Sequence, residues 1–203
     1  MQVGVLGAGV VGHTLAGKLR ELGHEVSIGT RNPRDSALTY ADAAAGAELI
    51  VNATAGSASL EALDAAGAEN LAGKVLLDVA NGLDFTRGRP PVLTVSNDDS
   101  LGEQIQRAHP EAKVVKALNT VNADIMVEPS RVPGHHVVFV CGNDVVAKEQ
   151  VVELLGLFGW PPERIVDLGG IKSARGPEMY VALWISLMGA LGTSQFNIAL
   201  ARA

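Results

Sequence analysis

Near its amino terminus the chain reads VGVLGAGVVGHTLAGKLRELGHEVSIGTR: a short apolar run, a glycine turn, a helical stretch and a second apolar run. Val3 to Leu6 suits a buried parallel strand. Gly7, Gly9 and Gly12 then fill a G-x-G-x-x-G frame. The first glycine permits a tight turn, the second lets backbone approach a pyrophosphate, and the third lets the next helix pack closely on the strand. A helix that opens near Val10 and is closed by Gly23 turns its amides and positive dipole end toward that pyrophosphate. Gly7, Ala8, Gly9, Val10, Val11 and Gly12 are therefore the candidate cradle. A purely structural glycine turn is the competing reading, and the strand before it and helix after it favour a dinucleotide site.

The tip of the second strand selects the dinucleotide. NAD sites of this type place Asp or Glu about 20 residues beyond the glycines, where the acid holds the ribose hydroxyls. Here strand Glu25 to Ile28 runs into Gly29, Thr30, Arg31, Asn32, Pro33 and Arg34. A hydroxyl followed by a planar, permanently charged fork suits a 2′-phosphate, which a carboxylate would repel. Asn-Pro also marks an ordinary solvated turn, but the missing acid points to NADP, with Thr30, Arg31 and Arg34 as ligands.

Composition narrows the class. Hydrophobic residues make up 47% and charged residues 19%, as in a compact globular protein. A net charge of −6 without a basic run argues against a nucleic-acid surface. The single cysteine, Cys141, excludes an internal disulfide and suits a reducing, cytoplasmic setting. It reads as a small buried hydrophobe. Opening directly on a strand, the chain is expected to carry no signal peptide. The longest apolar stretch, Met179 to Leu191, falls short of a bilayer span, so no membrane partner is expected.

Strand and helix signals alternate along the 203 residues, which predicts an α/β fold: a Rossmann-type, doubly wound, mostly parallel sheet of about eight strands. Residues 1–203 read as one domain, with 171–203 as a C-terminal helical extension. Beyond the first unit, a helix is expected over Asp35 to Ala45, capped by Asp35 or Ser36. Further strands are expected at Glu48–Asn52, Lys74–Val79, Val92–Val95, Lys113–Leu118, Val137–Val140 and Arg164–Asp167. Further helices are expected at Ser57–Ala66, Ser100–Arg107 and Asp144–Phe158. The last helix begins near Pro177 and runs to about Ala199, with a break at Gly192. The irregular stretch Ala80 to Pro91 is longer than an ordinary connection, which suggests a functional loop.

Ligands of open parallel sheets lie beyond the carboxyl ends of the strands. Besides the glycine turn and Thr30, this rule collects Ala53, Thr54, Ala80, Asn81, Asn119 and Thr120 as the border of the nicotinamide and its reaction partner. His24, His109, His135 and His136 all precede strands, which places them on the opposite edge as surface or loop residues. Only His13 lies where it can face ligand or solvent. No catalytic acid or base and no metal site is therefore expected. Lys116, inside an apolar strand, reads equally as a buried partnered charge or as a strand-edge residue. Asp78 reads as an anchor for the loop that follows it. Arg87, Arg89, Lys172 and Arg175 read either as solvated cations or as holders of an anionic tail. The stripe Met179, Val181, Leu183, Trp184, Leu187 and Met188 reads as packing or dimer surface rather than cofactor lining. With about thirty residues beyond the last strand, the second substrate is expected to lie against the nucleotide module, the Ala80 to Pro91 loop and the last helix, or in a dimer interface. A large flat hydride acceptor suits such a site, since exchange between two rings depends mainly on stacking and alignment.

The chain resembles the coenzyme F420-dependent NADP reductases and their short dinucleotide-binding relatives. The resemblance rests on the N-terminal stretch above, DVANGLDF, SLGEQIQRAHPEAKVVKALNT, VFVCGND and DLGGIKSARGPEMYVALW. The nucleotide-binding domain of the STEAP membrane ferric reductases is similar to the last three in outline. The family resemblance implies a Rossmann-type domain, bound NADP, often a homodimer, and direct hydride transfer to the deazaflavin F420 as co-substrate. It assigns the pyrophosphate to Gly7, Gly9 and Gly12 and the 2′-phosphate to Thr30 and Arg31. Archaeal-type members differ in having a GTGN-like turn for GAGV here, a histidine in place of Asn119, and a proline-containing turn in place of Ala53-Thr54-Ala55. Those departures fall at the acceptor end. Other acceptors compatible with the residues are a flavin, a quinone or a small imine or carbonyl, and a non-catalytic NADP sensor is the alternative outside enzymes.

Overall fold

A computed structural model describes residues 1–34 and 36–201. The N-terminal unit is β1 (Gln2–Leu6), α1 (Val10–Glu21) and β2 (Glu25–Gly29). In α1 the residues Gly12, Leu15, Ala16 and Leu19 are buried, the three- and four-residue spacing of one helix face. Lys18 and Arg20 sit in its last turn, where the dipole favours cations. Next come α2 (Tyr40–Ala45), β3 (Leu49–Asn52), α3 (Ser59–Ala66), the one-turn α4 (Ala68–Leu71) and β4 (Val75–Asp78). After β5 (Leu83–Asp84) and β6 (Val92–Leu93) follow α5 (Leu101–Ala108), β7 (Lys113–Ala117), α6 (Ala123–Val127), β8 (Val138–Gly142), α7 (Val145–Leu157), β9 (Ile165–Asp167) and α8 (Arg175–Leu191).

The sheet runs β2-β1-β3-β4-β7-β8-β9. Its period-two alternation divides the core between two faces. Val3, Val5, Leu49, Val51, Leu77 and Val115 belong to one cluster, with α1 and α7. Leu6, Ile50, Leu76, Val114 and Cys141 belong to the other, with α2, α3 and α5. Strand order reverses between β1 and β3, so the ligand crevice of a doubly wound sheet opens at their carboxyl ends.

The fold class agrees with the expectation, but the large sheet has seven strands, not eight. The segment expected as a fifth strand instead pairs β6 with β5 in a separate antiparallel ribbon, Leu83 opposite Leu93. This ribbon also gives structure to the stretch expected as an irregular loop. Two strands are reversed as well: β8 runs antiparallel to β7, with Lys116 opposite Cys141 and Ala117 opposite Val140, and β9 pairs parallel to β8.

Two boundaries move. The helix expected from Asp35 starts at Tyr40, with Thr39 as the N-cap accepting from the Asp42 amide at 3.1 Å. Leu38 is held extended against the end of β2, since its amide donates to the Ile28 carbonyl and its carbonyl accepts from Thr30 N–H. Asp35 itself lies outside the described residues. The last helix stops at Leu191, where Gly192 adopts a left-handed φ of 66° and its amide bonds back to Met188. The chain beyond it returns along the start of β8, bridging His136 and Ala199 instead of continuing as helix. Helix α6 was not expected from the sequence.

No helix among the described residues is long and apolar enough to cross a membrane. Among the same residues no cluster of three His, Cys, Asp or Glu side chains converges as a metal site.

Candidate functional site

The crevice is built first by backbone. Gly7, at φ 116°, sits so close to the turn after β3 that a Cβ there would lie 2.5 Å from the Ala53 carbonyl oxygen. A Cβ at Gly12 would lie 1.9 Å from the Gly7 carbonyl oxygen, so α1 is pressed directly onto its own leading turn. Gly9 is different. As N-cap of α1 it has no side chain to cap the first-turn amides, and a Cβ there would meet nothing within 4 Å. The open space in front of uncapped Val10, Val11 and Gly12 amides, with no acid in the first turn, fits a pyrophosphate.

The end of β2 forms the second part. Thr30, Asn32, Arg34, Ser36 and Ala37 line a cleft of about 510 Å³ with Ala8, His13 and Arg20. Thr30 and Arg34 thus stand where the sequence placed them. Arg31 turns to the other side of Thr30, where its guanidinium donates to Glu61 Oε2 at 3.1 Å. Both side chains are more than half exposed (59% and 72%), so the pair is weak and free to open. Between them lies a slot of about 140 Å³ floored by Thr39, Tyr40, Ala62 and Ala65.

At the third part a buried polar network underlies the carboxyl ends of β3, β4 and β7. Asn52 Nδ2 donates to Asp78 Oδ1 at 2.9 Å, and Asn52 Oδ1 accepts from the Thr54 hydroxyl at 2.7 Å. Lys116 Nζ donates to Asp78 Oδ2 at 2.8 Å, to the Ala80 carbonyl at 2.5 Å and to Glu178 Oε1 at 2.9 Å. Burial works against the Lys116 charge, but Asp78 and Glu178 together outweigh it and raise its pKa. Above this network Asn81 and Asn119 form a reciprocal pair: Asn81 Nδ2 donates to the Asn119 carbonyl at 2.8 Å, and Asn119 Nδ2 to Asn81 Oδ1 at 3.0 Å. Leu118, at φ 62°, makes the turn that delivers Asn119, a left-handed conformation costly for a bulky side chain and sustained by its full burial. Thr120 is buried with its hydroxyl unpartnered. Ala53, Thr54, Ala80, Asn81, Asn119 and Thr120 therefore share one edge of the sheet.

The remaining candidates separate cleanly. Lys116 is a buried, partnered charge and not a strand-edge residue. Asp78 anchors its loop, since its Oδ1 accepts from the Ala80 amide at 3.1 Å. Arg175 is committed to Glu103, with contacts of 2.8 and 2.7 Å. Arg89 lies over the Phe85 ring. Burial pushes the Cys141 thiol up to about 12, which keeps it protonated and unreactive at neutral pH. Two histidines correct the sequence reading. His109 is buried at the end of α5, its Nε2 3.4 Å from Asp64. His136 is buried and lies on the ligand edge, because β8 is reversed and its start meets the end of β7. Its Nε2 donates to the carbonyls of Pro129 and Val132, both at 3.0 Å, and its Nδ1 accepts from Asn197 at 2.9 Å. Fully engaged, it is structural. Asn52 and Glu178 escaped notice, although a lone Asn in LIVN and a lone Glu in an otherwise apolar helix each signal a buried partner.

Comparison with known proteins identifies the family. Residues 2–82 match the family model described as NADP oxidoreductase, coenzyme F420-dependent. A crystal structure from Arthrobacter sp. FB24, provisionally named as an F420-dependent NADP-reductase, superimposes over the full length of both chains with a TM-score of 0.95 at 54% identity. The chain belongs to the F420-dependent NADP oxidoreductase family. It is accordingly an NADP-dependent oxidoreductase. Metalloreductase STEAP3 of Rattus norvegicus is 29% identical over 185 residues, covering 87% of this chain and 36% of that protein. The chain thus spans about a third of the length of the curated relatives it matches. A reductive aminase from Aspergillus terreus, solved with an NADPH analogue, shares the fold at 17% identity and a TM-score of 0.63, over 94% of this chain and 62% of that one.

Proposed function

We propose that this oxidoreductase exchanges a hydride between NADP(H) and a deazaflavin of the coenzyme F420 type. The observation that carries the reading is the neutral edge formed by Thr54, Asn81, Asn119 and Thr120 beside the open amides of α1. Amides and hydroxyls orient a ring by hydrogen bonds but neither give nor take a proton readily at neutral pH. That suits transfer between two ring cofactors, where the protein supplies alignment. NADPH supplies the hydride in this reading and the deazaflavin takes it up. Gly7, Ala8, Gly9, Val10, Val11 and Gly12 hold the pyrophosphate, and Thr30 with Arg34 and a released Arg31 holds the 2′-phosphate. Ala53 and Ala80 complete the wall beside the nicotinamide. Residues 1–203 act as one NADP-binding unit, with 171–203 as its extension. Leu183 and Leu191, exposed by 54% and 56% on α8, offer an apolar surface for a homodimer, and the single buried cysteine suits the cytoplasm.

Purified protein mixed with NADPH and F420, then with FAD or FMN, and then with quinones and cyclic imines, tests the acceptor through the NADPH and deazaflavin absorbance bands. Oxidation of NADPH with F420 alone is expected. Turnover only with flavin, or only with imine, replaces the deazaflavin by that class. For the 2′-phosphate, Arg31→Ala is expected to weaken NADPH by about 1.5–3 kcal/mol, the range for a hydrogen bond to a charged group, while leaving NADH nearly unchanged. Equal losses for both cofactors remove Arg31 from phosphate recognition.

A further inference from the structure

Directly beneath the Ala80–Asn81 wall, three charged side chains meet in the interior, and their signs do not cancel. Glu178 Oε2 accepts from the Leu101 amide at 2.7 Å, and Glu178 Oε1 accepts from the Gly102 amide at 2.9 Å and from Lys116. Asp78 Oδ1 accepts from Asn52 Nδ2 and the Ala80 amide, and Asp78 Oδ2 accepts from Lys116. Every carboxylate oxygen therefore faces donors, which is the environment of an ionised acid. One ammonium between two carboxylates leaves one surplus negative charge, offset only in part by the positive end of α5 on which Glu178 rests. The same ion pair holds both polar atoms of Ala80, its N–H through Asp78 and its carbonyl through Lys116. Asn81 comes next in the chain and locks onto Asn119.

We propose that the Asp78–Lys116–Glu178 triad is a positioning and electrostatic device: it fixes the nicotinamide wall and, through its surplus negative charge, favours the oxidised cofactor over the reduced one. This rests on the placement of the nicotinamide proposed above. When NADPH gives up its hydride, the C4–H bond breaks with its electron pair and a C–H bond forms on the deazaflavin, which also takes a proton from solvent. The nicotinamide ring gains one positive charge. A fixed negative charge below it stabilises that product and makes bound NADPH a better donor. At an effective dielectric of about 20, a unit charge within about 10 Å changes such an equilibrium by roughly tenfold. An uncharged cluster of the same volume would give comparable stability but no such bias.

The test measures dissociation constants of NADP⁺, NADPH and 2′-phospho-ADP-ribose, which lacks the nicotinamide, for the wild type, Asp78→Asn and Glu178→Gln. The wild type is expected to bind NADP⁺ more tightly than NADPH. Each variant removes one negative charge at nearly constant shape and is expected to raise the NADP⁺-to-NADPH ratio of dissociation constants about three- to tenfold, with 2′-phospho-ADP-ribose unaffected. A folded variant that weakens both forms equally overturns the proposal, and so does a wild type that prefers NADPH, even where neither variant folds. Failure of the wild type to bind 2′-phospho-ADP-ribose overturns the cofactor placement instead.

Discussion

Gly9→Ala is expected to leave the protein folded and to remove most of its affinity for NADP(H), whereas Gly12→Ala is expected to damage the fold itself. The two glycines belong to one frame and are three residues apart, yet a methyl group meets opposite surroundings at each. At position 12 the new Cβ would lie 1.9 Å from the Gly7 carbonyl oxygen, a backbone atom that cannot move without shifting the end of β1. Either α1 is displaced or the turn opens, at about 3 kcal/mol or more. For a chain of this size that corresponds to a fall in Tm of roughly 6–12 °C. At position 9 the backbone is extended, φ −81° and ψ −175°, and the methyl group enters space that no protein atom occupies within 4 Å. Losing glycine at an N-cap costs about 1 kcal/mol at most, so Tm moves by only a few degrees. The methyl group does occupy the place proposed for the pyrophosphate. Displacing a phosphate from one or two amides forfeits charge-assisted bonds of about 1.5–3 kcal/mol each, a loss of affinity of about a hundredfold. Thermal unfolding and cofactor titration of both variants check this. A Gly9→Ala protein with unchanged affinity would remove the pyrophosphate from the α1 N-terminus.

That contrast also marks what was legible in the sequence. The glycine frame could be read because each of its positions answers a local demand, whether a φ of 116° at Gly7 or a helix packed on a carbonyl at Gly12. The alternation of apolar runs and helices likewise revealed the parallel half of the sheet. Strand direction was not written locally: VFVCG in β8 reads the same parallel or antiparallel, and its reversal depends on the long path through α6. This one reversal moved His136 to the ligand edge. The start of α2 was ambiguous because Asp35, Ser36 and Thr39 are all good caps, and only the pairing of Leu38 with the end of β2 selects Thr39. Lys116, Asn52 and Glu178 announce buried polarity as single polar residues in apolar stretches. Their spacing along the chain, 52 to 116 to 178, carries no information about their meeting.

Lys116→Met is expected to be the most damaging single substitution among the polar residues. Methionine fills much of the space of the lysine stem but leaves Asp78 and Glu178, both buried, without their shared ammonium. Breaking a buried ion pair in this way costs about 3–5 kcal/mol, because the remaining charge keeps its desolvation penalty and loses its compensation. Adding Glu178→Gln and Asp78→Asn to Lys116→Met should therefore recover part of the loss, a coupling that a double-mutant cycle measures directly. Strict additivity would show that the three groups do not act as a unit. The alkaline limb supplies an independent check. The Lys116 pKa is raised above its ordinary 10.5 in the folded state, so its contribution is fully present below about pH 10.5 and is lost as pH rises through the native value. The wild type should lose stability on that limb beyond what its exposed groups account for, and Lys116→Met should not. Equal alkaline slopes for the two proteins would mean that the lysine titrates alike in the folded and unfolded chain, so that Asp78 and Glu178 do no more than offset its burial.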